Sequence, residues 1–512
     1  MKKIKLLTIL FLALGFNACT DLNEEPIGFY TDQNFFESSE ESEIALLYAY
    51  NVFNFQEYMS GWFDLGLLTT DFCVPKPGET QNGRDVLWSW NMDPNTQSFR
   101  DFFKFSYIGI NRANAVIKNL DGFDASTTEE QTKINQIVGE AKFLRAWHNF
   151  VLVRLFGAIP QRTSIIEELN EVDVPLTSIE GVYSNIIADL EASENLMQMD
   201  KVYARANKVT AQGLLSKVYI TLASSKATGV PRYEWVSNAD EMYTKAALWS
   251  GKVVNEQGIH AMAETHRALF DYDGPNNSPD YDLFASESEF MFYPSQDRSA
   301  PHYTRTLGNL FVAFNGYGPY QYQELDGSFT RGFTGWEVYR VNSDFYQTFP
   351  SGDLRASGLY TSKIYSANGA EISRGNDAWI ICKKYIDPLA QWGRDDTKTI
   401  FMRFSDIALI HAEAQGASIE GYTWINKIRD RAGLADLTPG LSNDAFRDAV
   451  VNERGFELHF EGHRLLDLRR THQVIEKINK GNIPYAYFFP LPQVEVDLNP
   501  NINADPEKRT LN

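Results

Sequence analysis

Two loops carry the residue types best suited to recognising a polar ligand that also has apolar faces. The first runs from Thr69 to Phe99 and holds Trp88 and Trp90 beside Asp71, Arg84, Asp85 and Asn95. The second runs from His302 to Tyr339 and holds Tyr303, Tyr317, Tyr320, Tyr322, Phe329, Phe333, Trp336 and Tyr339 among glycines and polar residues. Sugar rings present apolar C–H faces that stack on Trp or Tyr. Their hydroxyls need partners of fixed geometry, such as Asp, Asn and Arg. Any single ring could instead anchor its loop to a core, but the clusters together read as a binding face.

Other chemistries find less support. GYG at 316–318 lacks the third glycine and the following helix of a dinucleotide loop, and no GxxxxGK[ST], GxSxG or HExxH occurs. Glu453, Glu457, His459, Glu461 and His463 form the densest acid–base group, with the three Glu on one helix face and His459 pointing elsewhere. Arg454, Arg464, Arg469 and Arg470 are expected to pair with those acids, which makes a salt-bridged helix pair the better reading. Asp271, Asp273, Asn277, Asp280 and Asp282 have the composition of a calcium loop, but Gly sits at the fourth position and no Glu closes the twelfth. No metal or cofactor is expected. With 67 acidic residues some carboxylate pair is always available, so spacing cannot identify a glycosidase.

The elements that must position the loops read as helices. Apolar residues recur at three and four over 40–55, 98–120, 129–156, 178–198, 208–225 and 238–256, then again over 399–419, 421–432, 443–461 and 463–480. Thr128 is placed as the N-cap of the third helix, and Gly157 and Pro160 close it. Paired amphipathic helices joined by short turns predict a mostly α, tetratricopeptide-like scaffold of divergent units. Residues 257–398 are rich in Gly, Pro, Asn, Asp and Tyr and predict a loop-rich region with few short strands. The tail, FFPLPQVEVDLNPNI, reads as extended.

Composition and the first residues bound the setting. The 512-residue chain has a net charge of −20, which repels nucleic acid phosphates and anionic lipid surfaces. Residues 1–18, MKKIKLLTILFLALGFNA, combine a basic start, a short apolar run and a small residue before Cys19. That pattern predicts a bacterial lipoprotein signal with Cys19 acylated. Removing it takes away three Lys and no acids, so the mature charge becomes −23. No later apolar run is long enough for a membrane span. Cys73 and Cys382 could pair or stay free.

The segments together resemble the SusD/RagB family of outer-membrane nutrient-binding lipoproteins. The resemblance rests on CTDLNEEPIGFYTDQNFF, GEAKFLRAWHNFVLVRLFGAIP, RFSDIALIHAEA, INKIRDRAGL, VVNERGFELHFEGHRLLDLRR and FFPLPQVEVDLNPNI, in that order along nearly the whole mature chain. It implies a single SusD-like domain over 19–512, with an N-terminal helical-repeat part (19–256), the loop-rich part (257–398) and a C-terminal helical part (399–512). It implies a cell-surface lipoprotein that captures a glycan without chemistry and delivers it to a SusC-like TonB-dependent transporter. A peptide-binding relative is the alternative, and a surface glycosidase a weaker one. By the resemblance, the ligand face includes Asp71, Arg84, Trp90 (or Trp88) and Asn95 from the first loop. By position, Tyr317, Tyr320 and Trp336 are added from the second. The charged residues of the last segments are scaffold.

Overall fold

The computed structural model describes residues 36, 38–255, 259–270, 289–294, 307–314, 320–333, 335–375, 379–390, 395, 397–481 and 483–504. Cys19, Tyr317 and the calcium-like run 271–282 lie outside them.

The helical reading of the first half holds, with boundaries set by caps. Helix α1 spans Ser39–Tyr50, and Ser38 and Glu41 satisfy each other's backbone N–H in a capping box. Helix α2 (Gln56–Phe63) runs into a π-turn over Asp64–Leu68, both inside a stretch whose apolar spacing did not single them out. Short α3 (Arg84–Ser89) interrupts the first loop. Then follow α4 (Gln97–Asn119), α5 (Thr128–Phe156), α6 (Ile179–Leu196), α7 (Lys208–Thr228) and α8 (Ala239–Asn255). The N-cap of α5 is Thr127, not Thr128: the Thr127 hydroxyl accepts the Glu130 N–H at 3.1 Å. Each of α4 to α8 packs on the next, as expected of repeated helix pairs.

The C-terminal part completes this stack. Helix α9 (Phe404–Gln415) packs on α8 and carries α10 (Ile419–Arg431) and α11 (Asn443–Glu457). The predicted helix over 443–461 stops at Glu457 because Phe460 and Gly462 adopt left-handed backbone, φ 66° and 86°. Gly462 must be glycine: a Cβ there would lie 2.3 Å from Trp62 Nε1. The predicted helix over 463–480 is two pieces, α12 (Arg464–Arg470) and Val474–Ile478. The tail is not wholly extended, since Gln493–Leu498 and Pro500–Ala504 are helical.

Among the described residues, ten short strands lie outside the stack, mostly in the loop-rich region. They are β1 (Cys73–Pro75), β2 (Phe290–Phe292), β3 (Gln321–Gln323), β4 (Phe329–Arg331), β5 (Tyr339–Val341), β6 (Tyr360–Thr361), β7 (Ile364–Tyr365), β8 (Glu371–Ile372), β9 (Ile381–Cys382) and β10 (Met402–Arg403). The largest sheet has the order β4-β3-β7-β8. Strand β2 pairs antiparallel with β10 and inserts Phe292 into the helical core. There Phe292, Trp147, Trp62 and Phe401 meet at ring centroid distances of 4.9–5.9 Å. This shared aromatic core ties the loop-rich region to the helical stack, while Val312, Tyr320, Tyr322, Ile364 and Ile381 form a small core of that region's own.

A second core is ionic, and here the expected pairing is corrected. Glu457 takes Arg403 (2.8 Å), Arg431 (2.6 Å) and Arg355 (3.1 Å), and Glu461 takes Arg403 (2.8 Å) and Lys384 (2.6 Å). Glu453 takes Arg355 and Arg429. None of these acids pairs with the nearby arginines. Arg454 goes to Asp406 and Asp467, Arg464 to Asp71, Arg470 to Glu413 and Asp467, and Arg469 donates to backbone carbonyls. Cys73 and Cys382 are buried free thiols.

Candidate functional site

Strand β1 brings the two aromatic loops together. It pairs antiparallel with β5, Cys73 opposite Val341 and Pro75 opposite Tyr339, and the Lys76 N–H extends the ladder to the Val338 carbonyl at 3.0 Å. The start of the first loop therefore lies beside the end of the second. A cleft of about 590 Å³ opens where they meet. Its walls are α2 (Gln56, Glu57, Ser60, Gly61), Asp64 of the π-turn, the segment Lys76–Arg84, the first turn of α4 (Gln97, Ser98, Asp101) and, facing them, Leu310, Trp336 and Val338.

Trp336 is the apolar platform of this cleft. It is 43% exposed, whereas Tyr320, Tyr322 and Tyr339 from the same loop are buried. Its backbone is held by a 2.7 Å hydrogen bond from its N–H to the Asn309 carbonyl, and Gly335 beside it donates to Ala313. A Cβ at Gly335 would lie 2.2 Å from Val312, so the chain approaches closely here and leaves the indole to project outward.

Arg84 forms the floor. It is 2% exposed and donates from Nε to Asp64 (2.8 Å) and from Nη1 to Glu79 (3.1 Å). Asp64 also accepts the Tyr339 hydroxyl (2.6 Å) and the Ser98 hydroxyl (3.1 Å). Burial raises the Asp64 pKa against the pull of Arg84. Burial would lower the Arg84 pKa, but Tyr339 and Asp64 overcome it and hold the guanidinium charged. The rim above turns through left-handed backbone at Asn82 and Gly83, φ 59° and 75°. The result is a fixed cation under a ring of amides and carboxylates. Such a set has the donors and acceptors to hydrogen-bond several hydroxyls at once, and Trp336 offers a face on which a ring can stack.

The residues expected from the sequence divide. Arg84 and Trp336 meet in the cleft. Trp90 does not reach a surface: it is 1% exposed, turned inward by left-handed backbone (φ 59°) at the end of α3, with its ring 6.3 Å from Phe489. Tyr320 is also core, its hydroxyl donating to the Phe333 carbonyl with the Ala313 carbonyl 3.2 Å away. Asp71 is committed to Arg464. Trp88 is 38% exposed outside the cleft, with Lys480 4.2 Å above its ring. Asn95 is exposed in the turn before α4, its N–H bonded to Asp93. Polar cleft residues outside the sequence expectation include Gln56, Glu57, Gln97 and Asp101. Their signal is the polar edge at the starts of α2 and α4, where Gln97 and Asp101 stand one turn apart and hydrogen-bond at 3.1 Å. Among the described residues no group of three or more His, Cys, Asp or Glu could hold a metal ion, and no helix is long and apolar enough to cross a membrane.

Known proteins share this architecture. A model of the SusD family matches residues 325–507, and one described as starch-binding, associating with the outer membrane, matches residues 76–220. SusD-like protein P2 of Formosa agariphila is 25% identical, with 98% of this chain and 99% of the relative covered. A SusD homolog from Bacteroides thetaiotaomicron superposes with a TM-score of 0.75 at 21% identity, covering 92% of this chain and 97% of that one. The surface glycan-binding protein A of the same species, solved with laminarihexaose, superposes with a TM-score of 0.68 at 16% identity, covering 90% and 98%.

Proposed function

The chain belongs to the SusD/RagB family, and from that premise we propose that it is a surface glycan-binding protein of the outer membrane. It captures oligosaccharide in the cleft under Trp336 and hands it, unmodified, to a SusC-like TonB-dependent transporter. Cys19 carries the lipid that holds it to the membrane.

One observation carries the reading of the site: an exposed indole faces a wall of amides, carboxylates and a buried arginine across about 590 Å³. That volume suits a few sugar units. The family model described as starch-binding and the relative solved with laminarihexaose support a glycan as the occupant. Capture for hand-over needs modest affinity, and ring stacking of about 0.5–1.5 kcal/mol supplies it without trapping the ligand.

Calorimetry with a panel of neutral oligosaccharides, laminarihexaose first, tests the proposal. A ligand from that panel should bind the parent and bind Trp336→Ala roughly two- to tenfold more weakly, the equivalent of the stacking energy. If folded Trp336→Ala binds as the parent does, the cleft is not the site. Release of reducing ends from any glycan would overturn capture without chemistry.

A further inference from the structure

A second cavity, of about 10 Å³, lies where α5, α7, α9, α11 and α12 converge among buried residues of the scaffold. Its charged and imidazole lining is Arg154, Lys217, Arg454, Arg470, His463 and Asp467, each at least nine-tenths buried. Most of this charge is paired. Lys217 meets Asp406, Arg454 bridges Asp406 (2.8 Å) and Asp467 (3.0 Å), and Arg470 bridges Asp467 (2.9 Å) and Glu413 (2.8 Å). Arg154 is the exception. Its Nε donates to the Phe150 carbonyl at 3.0 Å and its guanidinium lies over the Phe150 ring, but no carboxylate pairs with it among the described residues. The cluster thus sets four cations against three carboxylates.

Two further observations point to a ligand. His463 Nε2 is buried in this wall without a hydrogen-bond partner. Burial also pushes Arg154 down to about 10 and Lys217 down to about 8, the mark of positive charge that its surroundings compensate incompletely. The lining is rich in donors and poor in free acceptors. Both Asp467 oxygens already receive arginine N–H groups. A water here would find few acceptors for its two protons, whereas a ligand that only accepts matches the wall. The size excludes phosphate or a carboxylic acid.

We propose that this cavity is a halide site that takes one chloride between Arg154, Lys217 and His463, neutralising the surplus charge and tying α5 and α7 to the start of α12. The proposal is independent of glycan binding at the cleft.

The test uses the purified protein in sodium chloride, sodium bromide and sodium gluconate at equal ionic strength. Binding to the native state alone should raise the thermal midpoint by a few degrees in chloride or bromide over gluconate, with a rise that saturates. Arg154→Met should lose that dependence. Because Arg154→Met could unfold, crystals of the parent grown in bromide provide the deciding measurement. A bromide anomalous peak among Arg154, Lys217 and His463 is expected. A water refined there in bromide overturns the proposal whatever the midpoints do.

Discussion

Arg464 clamps Asp71 across 393 residues of sequence, Nε to Oδ1 at 2.9 Å and Nη2 to Oδ2 at 2.7 Å. The pair fastens the start of the first aromatic loop to α12. It also gives Asp71 a structural role where its type suggested a ligand contact. Asp71→Ala should therefore cost about 2–4 kcal/mol of unfolding free energy, because it strands a guanidinium whose side chain is only 4% exposed. Urea denaturation measures the loss. Glycan affinity of the folded fraction should stay within twofold of the parent, and a large affinity loss with unchanged stability would return Asp71 to the binding site.

Trp88 and Trp90, two residues apart, should respond in opposite ways. Trp90 fills the core at 1% exposure, so Trp90→Ala should destabilise by about 3–5 kcal/mol. Trp90→Phe should be far milder, since the indole N–H it removes is buried without a partner. Trp88→Ala loses the contact with Lys480 from a part-exposed ring and should cost about 1 kcal/mol or less. Thermal midpoints of the three variants check the order.

The contrast shows what the sequence could display. Gln97–Asn119 is marked to within a residue or two because it buries a stripe that repeats every turn, whereas Thr128–Phe156, buried on every side from Phe143 to Phe156, is marked by its capping residues and Gly157. Trp336 and Arg84 were legible as types in polar loops. The burial of Trp90 was not, since it depends on one left-handed residue at the end of a six-residue helix. Nor could spacing report the pairings of Glu457, whose partners come from Arg355, Arg403 and Arg431 on separate elements. The cleft itself depends on β1 finding β5, a contact with no local signature.

On the proposed reading, charge in the cleft should select among glycans. Glu57, Asp64, Glu79 and Asp101 face Lys76 and Arg84, and Arg84 is already neutralised by Asp64 and Glu79. Neutral oligosaccharides should bind with affinity that barely changes between about 0.1 and 1 M salt, where the screening length falls from about 10 to 3 Å. Oligosaccharides of uronic acids should bind more weakly, and Glu57→Gln with Asp101→Asn should narrow that gap severalfold. A basic peptide held by these carboxylates would instead weaken steeply with salt. Calorimetric titrations across the salt range separate the two ligand classes.

The ionic core predicts how the protein fails in acid. Burial raises the pKa of Glu289, but Arg431 (2.7 Å) and Arg403 (2.5 Å) outweigh it and bring it down to about 2. Asp467 behaves alike, with Arg454 and Arg470 overcoming burial to hold it at about 2. A carboxyl whose pKa is lower folded than unfolded stabilises the native state above its unfolded value and loses that contribution as the pH falls through the folded one. Stability should therefore be flat in this respect above about pH 5 and drop between about pH 4.5 and 2. For Glu289 the full span corresponds to on the order of 3 kcal/mol. Glu289→Gln keeps the shape but leaves two buried guanidinium groups short of a charge, so it should lose about 3–5 kcal/mol at pH 7. The same variant should show a shallower fall below pH 4.5, because the titrating group is gone. Denaturant midpoints of parent and variant from pH 7 to 2 test both parts, and parallel curves would mean that Glu289 does not carry the acid sensitivity.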